Sequence, residues 1–480
     1  MKDLEPKKVW NFFKEISEIP RCSGNEEKIA EYIASIAERN DCDYKIDEVG
    51  NVLIKKPGNV EGKTTKAVLQ GHMDMVCEKD EGVEHDFAKD SISLKKEGEW
   101  LTAEGTTLGA DNGIGLAIAL AILEDDSINH GPLEFLFTVS EETGLDGAQN
   151  ITPGYLEGRK LINLDSEEFG AFTIGCAGGG ESEVYLSVKR SGKEKDKLLE
   201  ISIDGLLGGH SGLDIDKGRA NSIKVLGRIL WSLNKRLDEG IGLLDIEGGN
   251  KRNAIPRFSK AVINVPGEIN KVKEIMNEVF SDIREEYSSV EEEMEMNVKE
   301  IQSYGEDIME NSKEIFDLRR ALPHGVLFMS QEVPGLVRTS TNLATIKIVD
   351  EKLEIPLKTR SSLKSELRST RDRIRAIGEN FDAEIIEDES YPGWDPDMSS
   401  EILQISKDVY KELFGEEPKV EALHAGLETG LIGETIEGMD MISMGATIEN
   451  PHSTKERLHI GSVAKFYKMV TKILERLAEK

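Results

Sequence analysis

The chain has 480 residues, too many for one hydrophobic core, so two or more domains are expected. A hydrophobic content of 38%, with charged residues spread along the chain, reads as folded and globular. Acidic residues outnumber basic ones by 91 to 60, a formal charge of −31, which argues against nucleic acid or an anionic membrane as the main partner because both repel such a surface.

The opening stretch, MKDLEPKKVWNFFKEI, has no long apolar run and no small-residue cleavage site, so no secretory signal is read there. No segment approaches the roughly 18–20 apolar residues that span a bilayer. PKKVWNFFKEISEI and EEKIAEYIASIAERN carry apolar residues at helical spacing, and GIGLAIALAILEDD reads as a buried helix. NVLIKK, KAVLQGH, LEFLFTVS and KLINLD are short apolar runs, as expected of strands covered on both faces. This alternation predicts a largely parallel α/β sheet. After the glycine cluster GCAGGG (175–180) the texture changes. EVYLSVKR, LLEISIDG, RFSKAVINVPG and ATIKIVDEKLEIPLKT read as antiparallel strands, interleaved with amphipathic helices such as INKVKEIMNEVFSDIREEY. The acidic run VEEEMEMNVKE (290–300) reads as a solvated helix face or loop, and after YPGWDP (391–396) helix and strand alternate again. The economical parse is an α/β domain built from 1–182 and 392–480, its mostly parallel sheet covered by helices, with an α+β domain, 183–391, inserted. The four cysteines, Cys22, Cys42, Cys77 and Cys176, are scattered without CxxC spacing. Neither a disulfide framework nor a thiolate metal site is expected, and a reduced cytoplasm fits.

Ligands of open α/β sheets bind beyond the carboxyl ends of the strands. At those ends stand His72 and Asp74 (AVLQGHMD), Glu141 and Glu142 (LFTVSEETG) and Asp165 (LINLDSEE). Asp111 precedes the buried helix in TTLGADNGIG, and His452 lies in IENPHSTKERL before the last helix. Singly each has a plain reading: an N-cap, a satisfied histidine, a solvated turn. Together they place several carboxylates at one rim, where like charges share a site only if protons or cations neutralise them. Divalent metal is the simplest neutraliser. A nitrogen and oxygen ligand set suits zinc, cobalt or manganese, and so many ligands suit two ions about 3.5–4 Å apart. No HExxH is present, so this is not a zincin-type helix site.

GHMDMV, GADNGIG, SEETGLDGA, NLDSEE and NPHSTKERL, in that order, resemble the motifs of the M20 family of di-zinc metallopeptidases, and HAGLETG (424–430) points to its aminoacyl-histidine dipeptidase branch. The resemblance implies a zinc-peptidase-like catalytic domain and an inserted lid. It implies two divalent ions per subunit, zinc with cobalt or manganese as substitutes, bridged by Asp111. His72 and Asp165 would complete one site, Glu142 and His452 the other. Asp74 would orient the His72 imidazole, and Glu141 would be the general base acting on a metal-bridging water. The Asp111–Asn112 peptide would be cis.

Within the inserted domain, LLGGHSGLDIDKGRANSI (206–223) places His210 in a glycine-rich turn, and it resembles the family histidine that stabilises the oxyanion. GGNKRNAIPR (248–257) resembles the segment in which Asn253 contacts substrate, and KTRSS (358–362) offers Arg360 to the substrate's C-terminal carboxylate. Gly426 would line the pocket and Glu428 would hold a free N-terminal amine. GCAGGG as a hinge would let the lid close over a short peptide. The implied activity is hydrolysis of unblocked dipeptides, Xaa-His included, by a cytoplasmic homodimer without nucleic-acid or membrane partners. An N-acyl amino acid amidohydrolase or a tripeptidase would keep every metal residue. A non-catalytic binder would have lost a ligand or Glu141, and a nucleotide binder lacks its GxGxxG and Walker lysine.

Overall fold

The computed structural model describes residues 3–62, 64–191, 196–331 and 333–479. The chain forms two compact units, one of residues 1–176, 394–422 and 427–480, the other of 177–393 and 423–426.

The first unit is built on an eight-stranded sheet. Its centre is four mutually parallel strands, Leu133–Thr138, Ala67–His72, Lys160–Asn163 and Asp440–Ser443, in that spatial order. Antiparallel neighbours flank them: Val52–Lys56 and Asp43–Ile46 on one side, Ala171–Cys176 on the other. Every residue of Ala67–His72 and of Leu133–Thr138 is buried, because helices cover both faces. The helix Ala110–Leu123 is buried from Asn112 to its end, which explains an apolar sequence without a polar face. It packs against the amphipathic helix Lys7–Ser17, which turns Val9, Trp10, Phe12, Phe13 and Ile16 inward. Phe13, Leu69, Ile118, Phe135 and Phe466 belong to one core, each contributing about 1.5–3 kcal/mol by leaving water. A small sheet pairs Ile448–Glu449 with Arg457–His459, and the latter with Trp100–Ala103. That pairing holds out the loop that carries His452.

The second unit is α+β. One antiparallel sheet runs Gly242–Gly248, Ser259–Val265, Lys197–Asp204, Glu295–Ile301. Another runs Gly325–Met329, Val337–Leu343, Lys352–Ser361, Gly178–Ser187, Glu384–Glu387. Ser222–Arg236, Ile269–Glu286, Ser312–Ala321 and Lys364–Glu379 are its long helices.

Two expectations fail. The acidic run is neither helix nor loop over 295–301 but an edge strand paired to Lys197–Asp204. Its exposure alternates, with Met296 and Val298 turned inward, and the surrounding charge hid that period of two. In GCAGGG, Ala177 alone separates the strands Ala171–Cys176 and Gly178–Ser187, and the division between the two units falls at that point. A Cβ on Gly178 would lie 2.5 Å from the Gly393 nitrogen, so glycine there serves close backbone approach. Finally, Cys22 and Cys77 form a disulfide, with Cα atoms 5.8 Å apart. Fifty-five positions separate them in sequence, but Met75 N donates to the Arg21 carbonyl and brings the two segments side by side. Cys42 and Cys176 are free and buried.

Candidate active site

The strand Ala67–His72 ends with its imidazole fixed by Asp74. His72 Nδ1 lies 3.2 Å from Asp74 Oδ1, so Nδ1 carries the proton and Nε2 faces outward. Asp74 is wholly buried and also accepts from Ser23 Oγ at 2.7 Å and from the backbone N–H groups of Glu141 at 3.0 Å and Glu142 at 3.2 Å. Burial pushes its carboxyl up, but His72 and these donors outweigh burial and hold it at about 2.

His72 Nε2 faces Asp111 Oδ1 at 3.1 Å and Asp165 Oδ1 at 3.3 Å. The other oxygen of Asp111 faces a different imidazole: His452 Nε2 is 3.0 Å from Asp111 Oδ2 and 3.0 Å from Glu142 Oε2. The backbone at Asp111 and Asn112 is non-helical, and the peptide joining them is cis, as the resemblance implied. The ligand atoms of His72, Asp111 and Asp165 lie within 4.8 Å of one another, as do those of Asp111, Glu142 and His452. Glu141 joins His72 and Glu142 in a third such group.

This donor set fits divalent ions. It offers only imidazole nitrogen and carboxylate oxygen, and among the described residues Glu142 Oε1 and Asp165 Oδ1 are buried without a hydrogen-bond partner. Asp165 Oδ1 is near His72 but out of line for a bond, and burial pushes its carboxyl up to about 7. Burial likewise drives Glu141 well above the ordinary carboxylate range. His452 is pushed up to about 11 by Asp111 and Glu142, and a metal ion competes with that proton for the same lone pair.

The second unit carries its own polar cluster. His210 Nδ1 accepts the N–H groups of Gly212 at 3.2 Å and Leu213 at 3.1 Å, which puts its proton on Nε2. Burial, then the nearby Arg360, lowers its pKa and keeps the ring neutral at pH 7. Arg360 is 5% exposed, and among the described residues no carboxylate pairs with it. Its Nη1 donates to Tyr391 Oη at 3.1 Å, Nη2 stands 3.5 Å from Ser211 Oγ, and Nε is buried without a partner. The turn after His210 comes so close to the 423–426 segment that a Cβ on Gly212 would lie 2.2 Å from the His424 carbonyl oxygen. Asn253 is exposed, and its carbonyl accepts the Ser211 N–H at 2.8 Å. Gly426 lies against Tyr391. Glu428 belongs to the first unit: it is 2% exposed, and its Oε2 accepts from Gln70 at 2.6 Å and Thr138 at 2.8 Å. Its Oε1 has no partner, and burial raises its carboxyl to about 7.

Three residues that matter here escaped the sequence reading. Glu456 accepts four consecutive backbone N–H groups, from Leu108 to Asp111, at 2.7–3.2 Å. Arg21 donates to the carbonyls of Met73, Asp74 and Gly109. Glu291, inside the acidic run, is buried and accepts the N–H groups of Leu207 and Ala220, both at 2.9 Å, so one carboxylate pins both ends of the His210 loop. All three bond to main chain, which leaves no motif; only the cost of burying a lone charge distinguishes them.

Beside the ends of a parallel sheet, two imidazoles and five carboxylates converge in a carboxylate-rich centre with the spacing of metal ligands. Residues 68–476 match peptidase family M20/M25/M40, and the chain belongs to that family. It is 37% identical, over all of this chain and 99% of its relative, to the cytosol non-specific dipeptidase of Escherichia coli. The crystal structure of the aminoacylhistidine dipeptidase from Vibrio alginolyticus superposes with a TM-score of 0.93 at 37% identity, covering 99% of this chain and 97% of that one. The aminopeptidase PepT of Bacillus cereus shares the fold at 15% identity, TM-score 0.59, covering 99% of each chain.

Proposed function

We propose that this chain is a metal-dependent dipeptidase that hydrolyses unblocked dipeptides, Xaa-His among them. The observation that carries the reading is Asp111, whose two oxygens face two different imidazoles, each with a further carboxylate beside it. His72, Asp111 and Asp165 would hold one ion, and Asp111, Glu142 and His452 the other, with zinc preferred for such ligands. Bound there, divalent ions supply positive charge that polarises the scissile carbonyl and acidifies water.

The chain's own groups do the rest. Asp74 orients His72 and, by accepting the Glu141 and Glu142 N–H groups, sets the backbone from which the base projects. Glu141, its proton affinity raised by burial, accepts a proton from the attacking water and hands it to the leaving amine. His210 is a neutral imidazole whose Nδ1 accepts two main-chain N–H groups and whose proton sits on Nε2, which suits a donor to the carbonyl oxygen as negative charge develops there. Arg360 is a buried cation that no carboxylate pairs among the described residues, and a free C-terminal carboxylate is the partner of matching shape and charge. Glu428 Oε1 is assigned to the free amine, and Asn253 and Gly426 to the substrate backbone. The name of the Escherichia coli relative supports a cytoplasmic location, and among the described residues no helix is long and apolar enough to cross a membrane.

The test is hydrolysis of dipeptides, tripeptides and N-acetyl amino acids by enzyme stripped with a chelator and resupplied with zinc, manganese or cobalt. Metal-restored cleavage of free dipeptides is expected. Preference for the acetylated compounds would overturn the substrate assignment, and activity untouched by thorough metal removal would overturn the site.

A further inference from the structure

Besides the segments that carry Glu142 and Asp165, three stretches far apart in sequence meet around Asp111: 72–74, 108–111 and 452–456. Their side chains converge, but no main-chain strand pairing registers all three. Two buried charges do so. Glu456 lies four residues after His452 and is 3% exposed. Its Oε2 accepts the N–H groups of Leu108 at 2.7 Å and Gly109 at 2.9 Å, its Oε1 those of Ala110 at 2.8 Å and Asp111 at 3.2 Å. The loop bearing His452 is thereby locked to the main chain from which Asp111 projects. Arg21 is 2% exposed. Its Nη1 donates to the carbonyls of Met73 at 3.0 Å and Asp74 at 2.7 Å, and its Nη2 donates to Gly109. The segment following His72 is thereby locked to the same stretch of main chain from its carbonyl side.

We infer that Arg21 and Glu456 are paired positioning residues that set the spacing between the two ligand clusters by gripping the 108–111 main chain from opposite sides. Among the described residues neither makes a hydrogen bond or ion pair to a ligand side chain, and they form no ion pair with each other within 4.0 Å. Each instead satisfies buried main-chain groups, and the Gly109 carbonyl that Arg21 holds also accepts the Gly113 N–H at 3.2 Å. Asp111 is the one residue common to both clusters, so a shift of its backbone moves one oxygen toward His72 as the other moves away from His452. A spacing error therefore weakens the second ion to bind more than the first. The inference rests on the reading of Asp111 as the shared ligand.

The experiment is titration of chelator-stripped protein with cobalt(II), followed by its visible absorption and by calorimetry, for wild type, E456Q and R21K. Gln cannot accept four N–H groups, and the single ammonium of Lys cannot span three carbonyls. Wild type is expected to take up two equivalents. Each variant is expected to bind the second equivalent at least tenfold more weakly, with an altered cobalt spectrum, and to show reduced kcat with KM little changed until metal is in excess. Should E456Q not fold, R21K carries the same readout. Two-ion binding and spectra identical to wild type in both variants, whatever their melting temperatures, would leave only a structural role and overturn the inference. A wild type that binds fewer than two ions would instead remove the shared-ligand reading, and the inference with it.

Discussion

Asp74 accepts the main-chain N–H of Glu141 at 3.0 Å through Oδ1, the oxygen that also faces His72 Nδ1. One carboxylate thus sets both the His72 imidazole, the proposed metal ligand, and the backbone of Glu141, the proposed base. Asp74→Ala should lower metal affinity by about 10–100-fold and should also reduce turnover at saturating metal. Equilibrium dialysis with kcat measured in excess zinc separates the two effects. Full recovery of kcat by added metal would confine Asp74 to orienting the imidazole.

Glu141→Gln keeps the shape of the side chain and removes its basicity. The variant is expected to hold its metal complement by elemental analysis and to lose about 10²–10⁴-fold in kcat. Turnover near wild type would exclude Glu141 as the base.

Arg360→Ala should depress kcat/KM for free dipeptides by about 10–100-fold, matching a charge-assisted bond of roughly 1.5–3 kcal/mol, and should change dipeptide amides little. Lys should rescue poorly, because an ammonium cannot reproduce the fork held by Tyr391 and Ser211. Equal losses on acids and amides would remove the carboxylate role.

His424 is 6% exposed, and its Nε2 is 2.7 Å from Ser340 Oγ. Burial, with Arg360 adding to it, pushes its pKa down to about 3. The unfolded chain binds this proton near pH 6.5 while the folded chain does not, so stability is fully present above that value. It is lost progressively as pH falls toward about 3. In chelated protein, the melting temperature should therefore fall with acidification across that window, and less steeply in His424→Gln. Parallel curves for the two proteins would refute the assignment.

How much of this was readable depends on what each residue bonds to. His72, Glu142 and Asp165 stood out because buried apolar runs ended on side chains that cannot be left there unpaired, Asp111 and His452 through the motifs GADNGIG and NPHSTKERL, and the structure brings the five within 3.3 Å of one another in successive pairs. The parallel centre of the sheet was legible for the same reason: strands covered on both faces are continuously apolar. Arg21, Glu456 and Glu291 were not legible. In a chain with 151 charged side chains, a carboxylate that binds main-chain N–H groups looks like any other. The edge strand Glu295–Ile301 was lost because alternation between methionine or valine and charge was read as charge alone.

The bond between Cys22 and Cys77 was invisible too, since nothing in a separation of 55 positions marks two cysteines as neighbours. Its consequence is topological. It closes a covalent ring that contains the helix Glu27–Arg39 and the strand ending at His72. Closing a ring of this length stabilises the fold by about 4 kcal/mol on a chain-entropy estimate. A nick at the exposed Glu61, inside the ring, leaves both fragments tied together: the oxidised protein should run as one band after cleavage there and as two only once a thiol is added. A cut chain can then keep the imidazole of His72 in place, and a reducing compartment withdraws that protection.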